Sequence, residues 1–418
     1  MASSANDYRE DFVHFNTISC LTQLKAEKIT PEPTFRDYPF SLMKSDLLLI
    51  WKYKNLFWQL ISLKPSITTE STLSSREFSK VRAITPTTIG EQFLLTVGSL
   101  IAICAVFWSS VVSGVLGLLT LASSVGLFML YLSKCQPGVV ITSKYQPTSN
   151  RDDEEWFFIN GICTGNEGLQ RDIDFMAQMQ VASLSSAMFF SLFQGCVHEQ
   201  LLDCMHRFDR PITGVHNKTN GFILDIIECI IQRDFAYTTQ DGTLELYDRL
   251  KRALLDANTK RVVLLAHSQG GIISSLILDY LLSDIPQVFL QKLETYTFGN
   301  AANHFNSPVT TPSRDHEGSP VVKHIEHYAN GHDFVARIGV LNWDVPASDR
   351  VDTRFYGRLF SRPDKSGHLL VENYFESNWN PSSFWLKSTD GQPSRLWSYL
   401  NGGTPDDFHI NGFTHDKI

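Results

Sequence analysis

The 418-residue chain has no paired-cysteine motif, no block of basic residues and no internal repeat. Each absence removes a class of function. Its seven cysteines (Cys20, Cys104, Cys135, Cys163, Cys196, Cys204 and Cys229) are odd in number and scattered, and none forms a CxxC pair. That indicates neither a zinc site nor a disulfide framework and reads as reduced thiols in a cytosol-facing protein. A formal charge of −8 with no Lys/Arg cluster argues against nucleic acid as a partner. Met1–Lys44 begins polar and acidic, without the basic stretch and apolar core of a secretory signal.

The largest absence is of charge. From Gln92 to Ser133, 42 consecutive positions carry no Asp, Glu, Lys or Arg and are dominated by Leu, Val, Ile, Phe, Ala, Gly and Ser. A spanning helix needs about 20 apolar residues, so the run is long enough for two. Ser109–Gly114 is the natural break, between Phe93–Trp108 and Val115–Leu132. Lys80 and Arg82 lie before the run, Lys134 and Lys144 after it. Positive charge on both flanks favours a transmembrane hairpin with both ends in the cytosol, a single tilted span being the alternative. Under that topology the sequon Asn217-Lys218-Thr219 stays unmodified. Ser45–Leu63, apolar and aromatic but interrupted by Lys52 and Lys54, reads either as a helix on the protein's own core or as one in the headgroup region, with Trp51, Tyr53 and Trp58 at the interface.

The organisation expected is an N-terminal polar and amphipathic region over residues 1–90, a membrane segment over 91–134, a linker over 135–155, a catalytic domain over 156–372 and a tail over 373–418. Within 156–330, apolar strands alternate with helices. Strands are expected at Trp156–Ile159, Ile212–His216, Val262–Ala266, Leu293–Phe298 and His324–Tyr328, and a last one at Arg354–Phe360. Helices are expected at Gly221–Phe235, Leu244–Ala257 and Ile272–Leu282. Val181–Glu199 is core helix or lid. The alternation predicts an α/β domain with a mostly parallel, doubly wound sheet. The tail has no assigned role, beyond packing through Trp379, Phe384, Trp385 and Trp397 onto the domain.

Arg261–Gly271, Arg-Val-Val-Leu-Leu-Ala-His-Ser-Gln-Gly-Gly, carries the chemistry. A buried strand runs into Ser268 and an apolar helix follows at once, the layout that holds a nucleophilic serine at a sharp bend. The pattern is Ala-x-Ser-x-Gly, with Ala266 where glycine is usual. An ordinary helix-capping serine is the alternative. A serine needs a base, and the base needs an acid, which in a parallel sheet follow the serine in the order acid, histidine. That order selects Asp333 and His368 over the competitors His304, His316, His324, His327 and His332 and the acids Asp315, Asp344 and Asp349. His267 is assigned to packing behind the serine. Two backbone N–H groups should bind the oxyanion, those of Gln269 and of Ile162, the latter beside Gly161. No residue set calls for a metal or an organic cofactor.

In this order Asn160-Gly161, Ala266-His-Ser-Gln-Gly270, Thr297-Phe-Gly299, Asn330-Gly-His-Asp333 and Gly367-His368 resemble the α/β-hydrolase fold, and more narrowly lipase- and esterase-like serine hydrolases. Asp333-Phe-Val335-Ala-Arg337 is similar to the acid motif of triglyceride lipases, without the usual proline before the arginine. With its N-terminal apolar segment the chain resembles fungal membrane-anchored hydrolases. The resemblance covers about 156–372, implies a serine esterase and names no substrate; it is the expected membrane segment that argues for a lipidic or poorly soluble carboxylic ester. The lipid bilayer is the expected partner, the catalytic domain is expected in the cytosol, and the endoplasmic reticulum or another endomembrane is the default location. A catalytically silent membrane-tethered scaffold and an acyltransferase using the same triad are the alternatives.

Overall fold

A computed structural model describes residues 38–57, 86–111, 140–145, 151–177, 208–237, 240–308, 320–343, 355–375 and 394–405, with isolated positions 114, 117–119, 122–123 and 147. In chain order the elements are α1 (Pro39–Tyr53), α2 (Pro86–Val111), β1 (Val140–Thr142), β2 (Glu154–Ile159), α3 (Asn166–Ala177), β3 (Thr213–Val215), α4 (Phe222–Phe235), α5 (Gln240–Leu255), β4 (Arg261–His267), α6 (Gln269–Asp284), α7 (Gln287–Leu290), β5 (Leu293–Phe298), β6 (His324–His332), α8 (Phe334–Ile338) and β7 (Arg358–Ser366). Short helical segments follow at Leu370–Phe375 and Leu396–Gly402.

The seven strands form one sheet in the order β1-β3-β2-β4-β5-β6-β7. β3, β2, β4, β5, β6 and β7 run parallel, and β1 joins the β3 edge antiparallel. The fold is thus α/β with a mostly parallel sheet. Alternate side chains of each strand feed opposite faces. Phe157, Ile159, Val262, Leu264 and Ala266 meet Leu246, Leu250 and Leu254 of α5 and Ile273 and Ile277 of α6. Trp156, Phe158, Val263 and Leu265 face Leu169 and Ile173 of α3, and the same layer takes in Tyr374, Phe375, Leu396 and Tyr399. Both faces are covered, which is why β4 reads as an unbroken apolar run, Val262–Ala266, rather than an alternating one.

After β2 the chain steps to β3 on one side, then returns across to β4 on the other. The loops leaving β2 and β4 therefore part over the sheet at a reversal of strand order, where open α/β sheets bind ligands. Ser268 lies there.

Three readings of the sequence change. The presumed linker 135–155 contains β1 and the start of β2. The last strand is Arg358–Ser366 rather than Arg354–Phe360, and β6 runs on through Asn330 and Gly331 to His332. The transmembrane hairpin is not found: among the described residues no helix is long and apolar enough to cross a membrane. The first expected arm is α2, and one flank of it docks on the α/β domain. Leu95 is buried there, Ser99 Oγ donates to Asn220 O at 3.0 Å, and Thr219 and Gln92 side chains pair at 3.3 Å. Most of the second arm, and Val181–Glu199, Trp58, Trp379, Phe384 and Trp385, lie outside the described residues.

Candidate active site

Ser268 sits between β4 and α6 with φ 58° and ψ −121°. A non-glycine residue in that region costs about 1–3 kcal/mol and persists only where its surroundings hold it. Here Ser268 N–H donates to Phe298 O at 3.0 Å, and Ser268 O accepts from Gly271 N–H (2.9 Å) and Ala301 N–H (3.2 Å). The bend brings β2 and α6 so close that a Cβ at Gly270 would fall 2.5 Å from Ile159 O. A Cβ at Gly161 would fall 2.5 Å from Ser268 Cβ. Ala266, fully buried, fits at the position where the motif usually has glycine.

The three residues chosen from chain order meet. Ser268 Oγ donates to His368 Nε2 at 2.8 Å, and His368 Nδ1–H donates to Asp333 Oδ2 at 2.7 Å. Asp333 comes directly after β6 and caps α8, with Oδ1 accepting Val335 N–H at 2.8 Å. The Tyr374 hydroxyl donates to Asp333 Oδ2 at 2.6 Å. Burial alone would raise the Asp333 carboxyl, but the charge of His368 and the bonds from His368, Tyr374 and Val335 N–H outweigh it and hold the group below its ordinary value. Asp333 is therefore a fixed carboxylate, which is what selects the Nδ1–H tautomer of His368 and leaves Nε2 to accept from the serine.

His267, expected behind the serine, lies against His368. Its ring packs on that of His368 with centroids 4.7 Å apart, and its Nε2–H donates to His368 O at 2.7 Å. Burial, with the His368 charge, pushes it down to about 3, so it stays neutral. The competing histidines have other work. His327 is held between Thr297 Oγ1 and Tyr356 O, and His304 between Asn303 and Asp279. His324 is lowered to about 4, chiefly by burial, and His332 is exposed. His316, Asp315, Asp344 and Asp349 lie outside the described residues.

The two oxyanion candidates fall on the two sides of the serine. Gln269 opens α6, so its N–H belongs to the set with no intrahelical acceptor. Ile162 follows Gly161, which abuts Ser268. The next residue, Cys163, has φ 58° and donates its N–H to Asp225 Oδ2 at 3.0 Å, tying the β2 loop to α4.

Sequence reasoning missed the polar frame around these groups. Asn217 Nδ2 donates to Gln269 Oε1 at 2.6 Å, Gln269 Nε2 to Gln232 Oε1 at 3.0 Å, and Asn160 Oδ1 accepts from Asn217 N–H at 2.9 Å. Asn217 is thus buried against Gln269, the neighbour of Ser268, and the folded chain leaves no room for a glycan on it. Asn330 holds the histidine loop through Gly367 O and Asn373 O, while its own oxygen accepts from Arg362. Tyr374 belongs to the expected tail, 373–418. Nothing local marks it; only the folded chain brings it to Asp333. Among the described residues no group of three His, Cys, Asp or Glu is placed to hold a metal ion.

No protein-family model matches this chain, and no curated protein matches it.

Proposed function

We propose that the chain is a serine hydrolase of the α/β-hydrolase type that cleaves a carboxylic ester through an acyl-serine intermediate. The hydrogen-bonded line from Ser268 through His368 to Asp333 carries this reading. His368 Nε2 takes the Ser268 proton as Oγ attacks the ester carbonyl. The N–H groups of Gln269 and Ile162 receive the oxyanion, and charge building there gains most because the serine is buried. His368 then protonates the departing alcohol. Water, activated by the same nitrogen, releases the acid. Acyl transfer to another alcohol would use the same groups.

The substrate is proposed to be lipidic, and the enzyme to be held at an endomembrane with its catalytic domain in the cytosol. Support comes from the uncharged run 92–133 and from the flank of α2 that faces away from the domain. Phe93, Leu94, Ile101, Trp108 and Val111 are all more than half exposed there, a surface water would penalise.

Labelling of the detergent-extracted protein with a fluorophosphonate tests the reading, since the probe reacts with a serine activated by a base. Wild type should label, and Ser268→Ala and His368→Ala should not. A folded wild type that fails to label would return the silent-scaffold reading.

A further inference from the structure

Helix α1 has two working faces. Toward the domain, Leu42 is buried and Ile50, Tyr53, Leu56 and Phe57 pack on the core. Away from it, Phe40, Leu47, Leu48 and Trp51 are more than half exposed. The same outer side carries Lys44, Lys52 and Lys54, all exposed. Asp46 is the one acidic residue from 38 to 57, and it is buried. The outward face is therefore apolar, aromatic and solely basic. That pattern suits the boundary of a bilayer with anionic headgroups better than an uncharged one.

Its position agrees. α1 and the turn after it lie along α4, from Phe40 against Phe235 (5.6 Å between centroids) to Phe57, just past α1, against Phe222 (5.7 Å). α2 docks at that second end of α4, on Asn220 and Gly221. The apolar run that would enter the membrane thus starts beside the end of α1.

The inner face of α1 reaches the catalytic groups through one side chain. Asp46 is paired with Arg233 of α4, at 2.6 Å from Nε and 2.9 Å from Nη2. The same guanidinium donates to Ala301 O (2.5 Å) and Ile338 O (2.7 Å). Ala301 N–H is bonded to Ser268 O, and Ile338 ends the helix that Asp333 caps. Phe57 also meets Phe334, the residue after Asp333, with centroids 5.4 Å apart. One buried ion pair therefore joins α1 to the backbone carrying the nucleophile and to the backbone carrying the acid.

We infer that α1 binds anionic lipid and that this binding sets the alignment of Ser268 and Asp333 through Asp46 and Arg233, so that turnover rises on an anionic membrane. The inference rests on the hydrolase reading. A ligand shifts such an equilibrium only by its differential affinity for the two arrangements, and lysines drawn to an anionic surface are the groups that can supply it. Three lysines can supply a several-fold effect without any new contact to the ester.

The test uses the full chain reconstituted in vesicles of phosphatidylcholine alone and of an equal mixture of phosphatidylcholine and phosphatidylserine. Readouts are the rate of fluorophosphonate labelling, and kcat and KM on a water-soluble short-chain ester, which does not concentrate in the bilayer. The mixture should raise labelling and kcat roughly 5-fold, with KM little changed. In the triple variant Lys44→Gln, Lys52→Gln, Lys54→Gln the ratio between the two membranes should fall to one. Asp46→Asn, which keeps the lysines, should lower that ratio too. Equal wild-type rates on both membranes, or an undiminished ratio in the triple variant, would overturn the inference. An undiminished ratio in Asp46→Asn would overturn the route through Arg233. If Leu48→Asp instead halves the particle mass in detergent and the lipid mixture has no effect, the face joins two copies of the chain and the inference is wrong. Absence of labelling in detergent as well would be a failure of the hydrolase reading itself.

Discussion

Tyr374 and His368 donate to the same oxygen of Asp333, so the acid is held from two sides. A phenylalanine at 374 would keep the ring packed on Phe298 and remove the hydroxyl, which donates to Asp333 and accepts from Asn330 N–H at 3.3 Å. A hydrogen bond to a charged group is worth about 1.5–3 kcal/mol. Tyr374→Phe should therefore lower kcat roughly 10-fold with KM unchanged, since the carboxylate is needed most when His368 is charged. With one donor fewer, more of the carboxylate's charge acts on the protonated base, so the acid limb of the pH–rate profile should move to higher pH. An unmoved limb would limit Tyr374 to packing. Gly161 is the second test at this scale. Its missing Cβ would lie 2.5 Å from Ser268 Cβ and 3.0 Å from Oγ. Gly161→Ala should cut fluorophosphonate labelling roughly 100-fold, because misplacing a reacting atom by about 1 Å is that costly. Labelling within 2-fold of wild type would show that the β2 loop yields. Ser268, Asp333 and His368 were legible because a nucleophile bend has a local pattern and chain order ranks its partners. Tyr374, Asn217 and Asn330 were not, because their partners are 41, 52 and 37 residues away and no spacing announces them.

Among the elements, those with strong periodicity could be placed from sequence. Leu293–Phe298 and Gly221–Phe235 agree with β5 and α4 to within a residue. Elements at the sheet's edges could not. β7 contains Arg362, Pro363, Asp364 and Lys365, which resemble a loop until β6 covers one side. β1 has only three residues and depends on β3 for its ladder. For Ser45–Leu63 the two readings were core helix and interfacial helix; the core side is seen, while the opposite face of α1 is left outward. Its docking has a pH dependence of its own. Asp234, next to Arg233, is pushed up to about 8, first by burial and then by the charge of Asp46. Folded protein thus holds a proton that unfolded protein releases near the ordinary aspartate value. Stability from this group is full below that value and lost as pH rises through about 8. Ionised Asp234 would also compete with Asp46 for Arg233. Hydrogen exchange over residues 38–57, corrected for intrinsic rate, should be faster at about pH 9 than at about pH 6.5 in wild type. It should lose that difference in Asp234→Asn. Equal protection at both pH values in wild type would mean that Asp234 does not control the helix.

At the scale of the whole molecule the two ends of the sheet do different work. The carboxyl ends hold the serine, the acid and the docking points of α2. The amino ends carry a charged cage, in which Glu154 pairs with Arg210 (2.8 Å) and Arg261 (2.7 Å), and Glu294 with Arg395 (2.8 Å). The cage fastens the C-terminal segment, for which the sequence offered only aromatic residues in search of a surface. Tyr399 donates to Glu294 and packs edge-on to Trp156 at 4.9 Å, Arg210 donates to Gly403 O, and Glu326 accepts the N–H of Arg395. Burial would raise Glu294, but Arg395 and Tyr399 keep it below its ordinary value, so it is a buried charge that needs its partners. Removing one partner of such a pair costs about 3–5 kcal/mol, whereas replacing both can be nearly neutral. Arg395→Ala should therefore lower the stability of the folded chain by about 3 kcal/mol, read as a reduced denaturation midpoint. Its kcat on a soluble ester should not change, because the cage is at the opposite edge from Ser268. Glu294→Gln with Arg395→Met should recover much of the lost stability, since no uncompensated charge then remains. If Arg395→Ala unfolds like wild type, the segment is held by Leu396 and Tyr399 in the core alone. If it folds normally but loses kcat, the two ends of the sheet are coupled, and the separation of stability from chemistry drawn here fails.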